Sequence, residues 1–362
     1  TPVENKEETT VKIPINFSEC KSFDWNIGVI YGGSGTGKTT LLKEFGNLSK
    51  CIFDEEKPVI SNFDWLEPNK ATLLLSSMGL SSVPTWLRPF QTLSNGEQYR
   101  AELAYKVGKA KENETILIDE YTSVVDRDVA KAMSNALQKY IRRNNKKIIL
   151  ASCHFDIMEW LLPDWTYSPL KGRVEKPSLL RQSRPKIELQ IFRCRYETWN
   201  IFKQHHYISE DLNKAAKCFC VTWNDKPVAF YAFLPMPSGT VQNAFRGSRS
   251  VVLPDYQGLG IGFSVAKYLH KLYTKDGKKL YVKSVNPALV KKRMNDDDYK
   301  FNGKTKSSNE GGKLKGRKLR DSAAYSFLFT GKVDDIKENE LNILKFNADA
   351  WKNVSQNQTR LF

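Results

Sequence analysis

The stretch Asn26-Ile-Gly-Val-Ile-Tyr-Gly-Gly-Ser-Gly-Thr-Gly-Lys-Thr39 decides the fold of the first half of the chain. Its apolar start predicts a buried strand, and residues 32–39 fit the pattern GxxxxGK[ST] of a phosphate-binding loop between a strand and a helix. Glycines allow successive backbone N–H groups to turn inward around an anion. Lys38 is expected to bridge the terminal phosphates of a nucleotide, and the Thr39 hydroxyl to hold Mg²⁺. The predicted ATP-binding residues of this loop are Gly32, Gly33, Ser34, Gly35, Thr36, Gly37, Lys38, Thr39 and Thr40.

Two carboxylates end the next apolar strand pattern, Thr115–Ile118. We expect Asp119 to bind Mg²⁺ and Glu120 to polarise the attacking water as general base. A solvated acidic turn after a strand would give the same local pattern. The phosphate-binding loop upstream favours the catalytic interpretation, and together the two segments predict a P-loop NTPase domain of the α/β class.

Three further segments give this domain a family resemblance. Leu93-Ser-Asn-Gly-Glu97 resembles the LSGGQ signature of ABC-type ATPases, and its Ser94 lies 25 residues before Asp119. Residues 123–126, ending in Asp126, are similar to the D-loop of that family. Residues 151–154, ending in His154, are similar to its switch-histidine segment.

The resemblance implies an ABC-type ATPase domain at residues 1–175 that works as an ATP-hydrolysing homodimer. Two such domains close head to tail, with each ATP between the phosphate loop of one copy and the signature of the other. Ser94 and Gly96 would then contact the γ-phosphate across the interface, where a helix N-terminus offers N–H donors to an anion. Asp126 would belong to the nucleotide site, and His154 would be a catalytic residue.

The sequence departs from the family pattern in three respects. Asn95 replaces a glycine of the signature and Glu97 replaces its glutamine. No glutamine occurs between Lys38 and Gln91, so the Q-loop glutamine is missing, and Asn62 is the candidate substitute. The short interval between loop and signature leaves room only for a reduced helical subdomain, which argues against a role in a membrane transporter.

The charge of the chain is asymmetric. Residues 1–180 contain 23 Lys+Arg and 23 Asp+Glu. Residues 181–362 contain the other 33 of the 56 basic residues and the other 17 of the 40 acidic ones, so the whole excess of +16 lies there. Such asymmetry favours a polyanionic partner, DNA in the first place, for the second half. A well-solvated basic domain without such a partner is the alternative.

Composition indicates a cytoplasmic globular protein. No apolar stretch approaches the roughly 18–20 residues that span a bilayer, and the polar start lacks the features of a signal peptide. The six cysteines are scattered, which suits a reducing compartment. Cys218 and Cys220 would point to one face of a strand, which is a weak metal signal; plain buried cysteines are the alternative.

A second domain is predicted at residues 176–362, with a Pro-rich, basic linker at residues 168–186. Strand patterns occur at residues 187–194, 217–223 and 226–234. The last two are separated by an Asn-Asp turn, which predicts a hairpin.

A glycine-rich turn follows, in Arg249-Ser-Val-Val-Leu-Pro-Asp-Tyr-Gln-Gly-Leu-Gly-Ile-Gly262, between an apolar strand and an amphipathic helix pattern. Gln257, Gly260 and Gly262 match the Q/R-x-x-G-x-G/A motif of the GNAT acetyltransferase superfamily, which this segment resembles. A dinucleotide-binding turn is the competitor, but Lys279 stands where its acidic ribose ligand is expected. The resemblance implies a GNAT-like mixed-sheet α/β domain whose N–H groups hold the pyrophosphate of acetyl-CoA or another acyl-CoA. The predicted CoA-binding residues are Val251, Val252, Gln257, Gly258, Leu259, Gly260, Ile261 and Gly262.

The segment after the helix has two parts. The strand pattern 279–284, followed by Asn286-Pro287, resembles the GNAT strand that parts from its neighbour to admit the acyl group. Residues 291–320 are polar and cannot build a core, so they are either a solvated loop or a segment that orders on a phosphate backbone. A strand is predicted at residues 325–329 and a helix near residues 338–351. The predicted nucleic-acid contacts are Lys304, Lys306, Lys313, Lys315, Arg317, Lys318 and Arg320.

Acyl transfer to an amine needs a base for the amine proton and an acid for the departing thiolate. The candidate bases are His205 and His206, and the candidate acids are Tyr207 and Tyr281. Structural or substrate-contact roles are the alternative for all four. Residues 248–249 are candidate substrate contacts.

The pair of domains resembles fusions found in phages and mobile elements, whose acyltransferase half is similar to Mom-type enzymes that modify the exocyclic amine of adenine in DNA. The leading hypothesis is an ATP-hydrolysing dimer that transfers an acyl-type group to a nucleobase amine. One alternative is an ATP-dependent DNA clamp with a catalytically silent GNAT fold, although sustained heptads are absent. Another is an ATP-regulated acetyltransferase for proteins or small molecules.

Overall fold

A computed structural model of the chain describes residues 23–176, 185–206, 211–237, 241–305 and 324–346. The chain divides into two compact units, residues 1–186 and residues 187–362. None of the described helices combines the length and the apolar character that a membrane span requires.

The first unit is built on a five-stranded sheet in the order β2-β3-β1-β4-β5. Its strands are β1 (Ile27–Tyr31), β2 (Thr115–Ile118), β3 (Lys147–Ser152), β4 (Trp165–Ser168) and β5 (Arg173–Glu175). The first four are parallel to one another, and β5 is antiparallel to β4. β1 and β3 are almost wholly buried because helices cover both faces of the sheet. The carboxyl ends of β1, β2 and β3 therefore meet at one edge.

Helices cover this sheet on both faces. They are α1 (Lys38–Lys43), α2 (Pro68–Ser77), α3 (Val83–Trp86), α4 (Asn95–Lys109), α5 (Arg127–Arg143) and α6 (Met158–Leu161), with 3-10 turns at Val59–Phe63 and Phe90–Thr92. α5 buries Val129, Met133, Leu137 and Ile141, which recur every four residues and form one apolar stripe. This stripe belongs to the core on one face of the sheet, while α1 supplies the core on the other face.

One close contact sets the pairing of β1 with β4. Gly28 lies opposite Trp165, which is fully buried. A Cβ atom at position 28 would stand 2.1 Å from the Trp165 indole, so only glycine fits there.

The linker predicted at residues 168–186 is wrong in its first part. Residues 168–175 complete a hairpin, in which Val174 of β5 pairs with Tyr167 of β4 across a turn that contains Gly172 in the left-handed region. The strand escaped prediction because it has only three residues, two of them charged. Short charged strands of this kind are typical of sheet edges.

The second unit is built on a seven-stranded mixed sheet in the order β11-β12-β10-β9-β8-β7-β6. Its strands are β6 (Gln190–Cys194), β7 (Lys217–Trp223), β8 (Lys226–Pro235), β9 (Ala244–Val252), β10 (Lys279–Ser284), β11 (Tyr299–Thr305) and β12 (Ala324–Phe329). All neighbours are antiparallel except β9 and β10. Asn224 and Asp225 both have positive φ, which confirms the predicted hairpin turn between β7 and β8. The predicted mixed-sheet α/β architecture of this unit is confirmed.

Three helices belong to this unit. They are α7 (Trp199–Phe202), α8 (Ile261–Lys275) and α9 (Pro287–Met294), with 3-10 turns at Tyr196–Thr198, Lys203–His205, Pro254–Tyr256 and Glu338–Leu344. α8 is the crossover that the parallel pair β9–β10 requires. The helix predicted near residues 338–351 is a 3-10 helix as far as residue 344, and residues 347–351 lie outside the described part of the chain.

The expectation that residues 291–320 contribute nothing to a core is wrong for their first part. The end of α9 and the strand β11 lie there, and both Arg293 and Tyr299 are buried. The end of α9 was not predicted because its buried residue is an arginine. The strand β11 was not predicted because polar residues alternate with its aromatic ones. Residues 306–320 lie outside the described residues.

His270 of α8 is a core residue of the second unit. It is 2% exposed, and its Nδ1 lies 2.8 Å from the Tyr299 hydroxyl. Burial, together with the nearby charge of Arg293, holds the pKa of His270 well below its ordinary value of 6.5. At mildly acidic pH, His270 is therefore protonated in the unfolded chain and neutral in the folded unit.

We predict that acid destabilises the second unit through this histidine. The contribution is fully present above the unfolded-state pKa of 6.5 and is lost as the pH falls below it, by at most about 1.4 kcal/mol per pH unit. The free energy of unfolding, measured with urea at several pH values between neutral and mildly acidic, should therefore fall less steeply in His270→Gln, which keeps a hydrogen-bonding group without a titratable one. Equal slopes in wild type and His270→Gln would contradict the assignment.

Candidate functional site

The segments predicted to bind ATP meet at the carboxyl edge of the first sheet. The phosphate loop follows β1, Asp119 and Glu120 follow β2, and His154 follows β3. Backbone hydrogen bonds join these ends: Gly32 donates to the Ser152 carbonyl at 3.3 Å. In open parallel sheets this edge is the usual place for a ligand.

The phosphate loop has the shape that its glycines permit. Gly35 and Gly37 have φ values of 75° and 82°, which other residues adopt only with strain. Lys38 Nζ donates to the Gly33 carbonyl at 2.6 Å, and Thr36 Oγ1 donates to the same oxygen at 2.9 Å. Side chains near the end of the loop thus hold the backbone near its start. The helix α1 has only six residues, so its N-terminus adds little to an anion site. The groups of this loop that could bind an anion are its backbone N–H groups and the Lys38 ammonium.

The backbone is strained at the second of the two carboxylates, Glu120, and again two residues later. Glu120 and Thr122 have φ values of 49° and 68°, and the second is a β-branched residue that rarely adopts this conformation. Asp119 Oδ1 accepts the Glu120 N–H at 2.9 Å. Strain of this kind costs about 1–3 kcal/mol per residue and occurs most often at functional sites.

A hydrogen-bonded chain links this segment to His154. Thr122 Oγ1 lies 3.3 Å from His154 Nδ1, and the Thr122 N–H donates to the hydroxyl of Tyr99 on α4 at 3.3 Å. Burial and then the charge of Arg127 lower the pKa of His154, against the opposing effect of Asp156, so its imidazole is neutral at neutral pH. Thr122 and Tyr99 were missed by the sequence analysis, because each stands between motifs and only the fold brings them to the histidine.

The signature residues have clear roles within their own unit. Ser94 caps α4 in a capping box: its Oγ accepts the Glu97 N–H at 3.3 Å, and the Glu97 carboxylate accepts the Ser94 N–H at 3.0 Å. A Cβ atom on Gly96 would touch Val125 at 3.4 Å. Asp126 caps α5 by accepting the Asp128 N–H at 3.0 Å. The capping box gives a physical reason for a glutamate at position 97.

Asn62 has a structural role. Its Oδ1 accepts the Asp54 N–H at 2.7 Å, and its Nδ2 donates to the carbonyls of Asp54 and Pro58. These bonds close the loop of residues 54–62. All three hydrogen bonds of the Asn62 amide are therefore made within this loop. A Q-loop glutamine would have to reach the nucleotide instead, so these bonds do not support Asn62 as its substitute.

In the second unit, the glycine turn is anchored by side chains and presents its backbone. Gln257 Nε2 donates to the Val252 carbonyl at 2.9 Å, at the end of β9. Gly258 and Gly260 have φ values of 82° and 86°, and Gly260 is the residue at which α8 begins. A Cβ atom on Gly262 would lie 3.2 Å from Val252, so the helix packs closely on the strand.

The remaining predicted CoA-binding residues hold the turn in place. Leu259, Ile261 and Val251 are buried in the core. Tyr231 of β8 donates from its hydroxyl to the Gly262 carbonyl at 2.9 Å. The side chains thus fix the turn from below, and the backbone N–H groups at the start of a 15-residue helix are what it offers to an anion.

The two parallel strands beside this turn part from each other. β9 pairs with β10 only from Ala244–Lys279 to Arg246–Tyr281. Beyond that point β9 continues to pair with β8, while β10 pairs with β12 as far as Ser284. The resulting fork has the form predicted for β10. Ser248 is the extra residue of a β-bulge in β9 within the fork, because Gly247 pairs with Phe233 and Arg249 with Ala232.

Arg249 is held beside the bulge. Its guanidinium donates to the carbonyls of Ser248 and Asp211. Its Nε is buried, and no group in the described part of the chain accepts a hydrogen bond from it.

The candidate acyl-transfer residues lie in different places. Tyr281 stands at the fork, at the last pair between β9 and β10. His206 lies after the turn Lys203–His205, with its ring 5.8 Å from that of Trp199, which in turn packs on Phe230 of β8. His205 Nε2 lies 3.2 Å from Gln204 Nε2. Tyr207 lies outside the described residues.

Of the predicted nucleic-acid contacts, Lys304 belongs to the described residues and is exposed on β11. The described residues do not include Lys306, Lys313, Lys315, Arg317, Lys318 and Arg320.

The metal signal at Cys218 and Cys220 is not supported. Both are buried, and burial raises the pKa of Cys218 to about 11 and that of Cys220 to about 12, so the thiols stay protonated. Across the described ranges, no cluster of three His, Cys, Asp or Glu side chains could hold a metal ion.

The second unit thus has a glycine turn at the mouth of a strand fork within a mixed sheet. Residues 185–291, which include this turn, match the model of the Acetyltransferase (GNAT) family. These residues are therefore a GNAT-family acetyltransferase domain, and the resemblance predicted for the second half is confirmed to that extent.

Several solved structures are similar to a part of the chain. An acetyltransferase of Bacillus subtilis in complex with CoA is 9% identical, with a TM-score of 0.32 over 41% of this chain and 100% of that one. The ribosomal-protein-S18-alanine N-acetyltransferase of Escherichia coli is 17% identical, with a TM-score of 0.30 over 41% and 99%. A GNAT family acetyltransferase of Elizabethkingia anophelis with acetyl-CoA bound is 10% identical, with a TM-score of 0.29 over 40% and 99%. A search of curated proteins found no match.

Proposed function

We propose that the second unit transfers an acyl group from acyl-CoA to an amine, and that the acceptor is a nucleobase amine in DNA. The observation that carries the transferase part is the position of the glycine turn at the fork between β9 and β10. An anion held by the N–H groups at the start of α8 lies beside the opening through which an extended chain can enter the sheet.

The residues present fit acyl-CoA. Two glycines with positive φ, Gly258 and Gly260, expose the backbone of the turn, and Gln257 fixes it to β9. When bound, acyl-CoA supplies a thioester that an amine can attack. In the fork, none of the described strands pairs with β9 beyond Arg246 on the side that faces β10, so its polar backbone groups there are available to an extended ligand.

Acid and base roles are assigned to residues around this fork. Tyr281 at its apex is the proposed acid that protonates the departing thiolate. His205 or His206 is the proposed base that takes the proton from the attacking amine. The Arg249 guanidinium, held at the bulge of β9, is proposed to contact the acceptor.

The proposal of DNA as acceptor rests on charge. The whole net charge of +16 lies in residues 181–362. A polyanion would be attracted to this half of the chain and not to the neutral first half. Since the amine of a base is covered in a duplex, strand opening or base flipping is expected before transfer.

We propose further that the first unit binds ATP and Mg²⁺, hydrolyses ATP and forms a head-to-tail homodimer that gates access to DNA. Thr39 and Asp119 would hold Mg²⁺, and Glu120 would act as general base. The convergence of the phosphate loop, the two carboxylates and His154 at one sheet edge supports this site. The cytoplasm, which supplies ATP and acyl-CoA, is the proposed compartment.

The transferase proposal predicts that acetyl-CoA binds at the glycine turn. We expect isothermal calorimetry to detect binding by the wild type and a loss of more than about tenfold in the Gly260→Asp, Gly262→Asp double variant, because two carboxylates would repel the pyrophosphate. Gly277→Asp is the control for Gly260, because both have similar positive φ and a Cβ atom at either would meet nothing within 4 Å. Gly262→Ala is the control for Gly262, because it brings the same Cβ contact with Val252 without a charge. Both controls should bind acetyl-CoA as the wild type does. Equal binding by the double variant, or no binding by the wild type, would overturn the proposal.

The ATPase proposal predicts separate effects on binding and hydrolysis. Glu120→Gln should keep ATP binding and lower the rate of phosphate release about 100-fold or more, because the general base is removed. Lys38→Ala should abolish binding. Glu112→Gln, at an exposed carboxylate ahead of β2, serves as the control with wild-type activity. Hydrolysis at the wild-type rate in Glu120→Gln would be inconsistent with the assigned role.

A further inference from the structure

The edge strand β11 carries aromatic and basic side chains that the transferase site does not use. β11 is the outermost strand of the second sheet, next to β12. Its Phe301 is 46% exposed, although it lies beside the fully buried Phe327 with ring centroids 5.8 Å apart. An aromatic ring that is half in water on a sheet edge is a surface with room for a partner.

A β-bulge brings a lysine to the same surface. Phe301 pairs with Phe327 and Gly303 with Ser326, so Asn302 is the extra residue, and Gly303 has a φ of 120°. In a regular strand, residues three apart such as Phe301 and Lys304 would face opposite sides of the sheet. The extra residue cancels this alternation and turns both side chains to the same face.

Tyr325 of β12 lies between these two side chains. The ring centroids of Tyr325 and Phe301 are 6.4 Å apart, and Lys304 Nζ stands 5.3 Å from the centroid of the Tyr325 ring. In the described part of the chain, no carboxylate forms an ion pair with Lys304. We call Phe301, Tyr325 and Lys304 the edge platform.

Lysines and exposed apolar atoms surround the edge platform, together with the three aspartates at residues 296–298, two of which pair with Lys267. α9 packs against β11 and exposes Lys291 and Lys292. Met294, at the end of the same helix, is 45% exposed. A partner that combines flat apolar rings with negative charge suits this surface.

We propose that the edge platform binds single-stranded DNA, with an unpaired base stacked on Phe301 and a backbone phosphate paired with Lys304. The ring faces of a base are accessible in a single strand and are covered by neighbouring bases in a duplex, so an exposed aromatic ring favours the single strand. The proposal deepens the proposed function, on which it rests for the choice of DNA. It places a holding site for the opened strand in the same sheet as the acyl-transfer fork, with β12 and β10 between β11 and β9.

The experiment measures the affinity of the full chain for a fluorescent oligothymidine of about 16 nucleotides by anisotropy. We expect Phe301→Ala to weaken binding at least about fivefold and Phe301→Trp to retain it, because stacking on a ring is lost in the first and kept in the second. Affinity for a duplex of equal length should change by less than about twofold in both, since that binding rests on charge. Lys304→Gln should lower the slope of log affinity against log salt by about 0.7.

Phe346→Ala is the matched control. Phe346 is 44% exposed in the same unit and also lies near a cation, with the Arg195 guanidinium 5.9 Å from its ring, but it lies against β6 at the other edge of the sheet. It should bind the oligothymidine as the wild type does. Wild-type affinity for the oligothymidine in Phe301→Ala, or an equal loss of affinity in Phe346→Ala, would overturn the proposal that the edge platform binds single-stranded DNA. An oligouridine that binds more tightly than the oligothymidine would overturn the assignment to DNA.

Calorimetry with acetyl-CoA on the same samples separates this proposal from the transferase proposal. Phe301→Ala should bind acetyl-CoA as the wild type does. Acetyl-CoA binding without single-strand binding would remove the edge platform and leave the transferase. Single-strand binding that depends on Phe301, without acetyl-CoA binding, would keep the edge platform and remove the transferase.

Discussion

The parting of β9 from β10 is the constraint on which the second unit depends. Three residue pairs join these strands, and beyond Tyr281 each turns to its outer neighbour. A parallel pair needs a crossover, and here the crossover helix α8 begins at Gly260, in a turn that Gln257 ties to the end of β9. The opening in the sheet and the start of the helix beside it are therefore two results of one connection. The bulge at Ser248 shapes the strand inside the opening.

In the first unit, the parallel pairing of the strands has the corresponding role. Parallel pairing of β1, β2 and β3 sends their carboxyl ends to one edge, so residues far apart in sequence become neighbours without any further device. Several of them also hold the unit together: Ser94 and Asp126 cap helices, and Thr122 bridges α4 to His154 in a strained conformation. If the proposed ATP sandwich forms, the residues that reach the second copy are positioned by these caps.

The parts of the fold that were predictable are those coded by local chemistry. Positive φ at Asn224 and Asp225, and at Gly258 and Gly260, follows from residue type, so the hairpin and the glycine turn could be placed from sequence. Both turns lie within residues 185–291, which match the Acetyltransferase (GNAT) family.

What escaped prediction is decided by contacts between distant residues. The edge strand β5 is defined by its pairing with β4, because it has only three residues. The strand β11 is defined by its pairing with β12, because its aromatic alternation at Tyr299 and Phe301 stops at the bulge. The bond between Thr122 and His154 spans 32 positions of the sequence and needs the whole sheet to form. The bulge that aligns Phe301 with Lys304 is visible only in the register of two strands.

The central claim is that the second unit acylates a nucleobase amine from acyl-CoA, and product analysis tests it most directly. The protein would be incubated with ATP, Mg²⁺, acetyl-CoA and DNA, and the DNA digested to nucleosides for mass spectrometry. The account predicts a nucleoside heavier by one acetyl group that is absent with the Gly260→Asp, Gly262→Asp variant. Unchanged masses for every nucleoside, from a wild-type protein shown to bind acetyl-CoA, would contradict it.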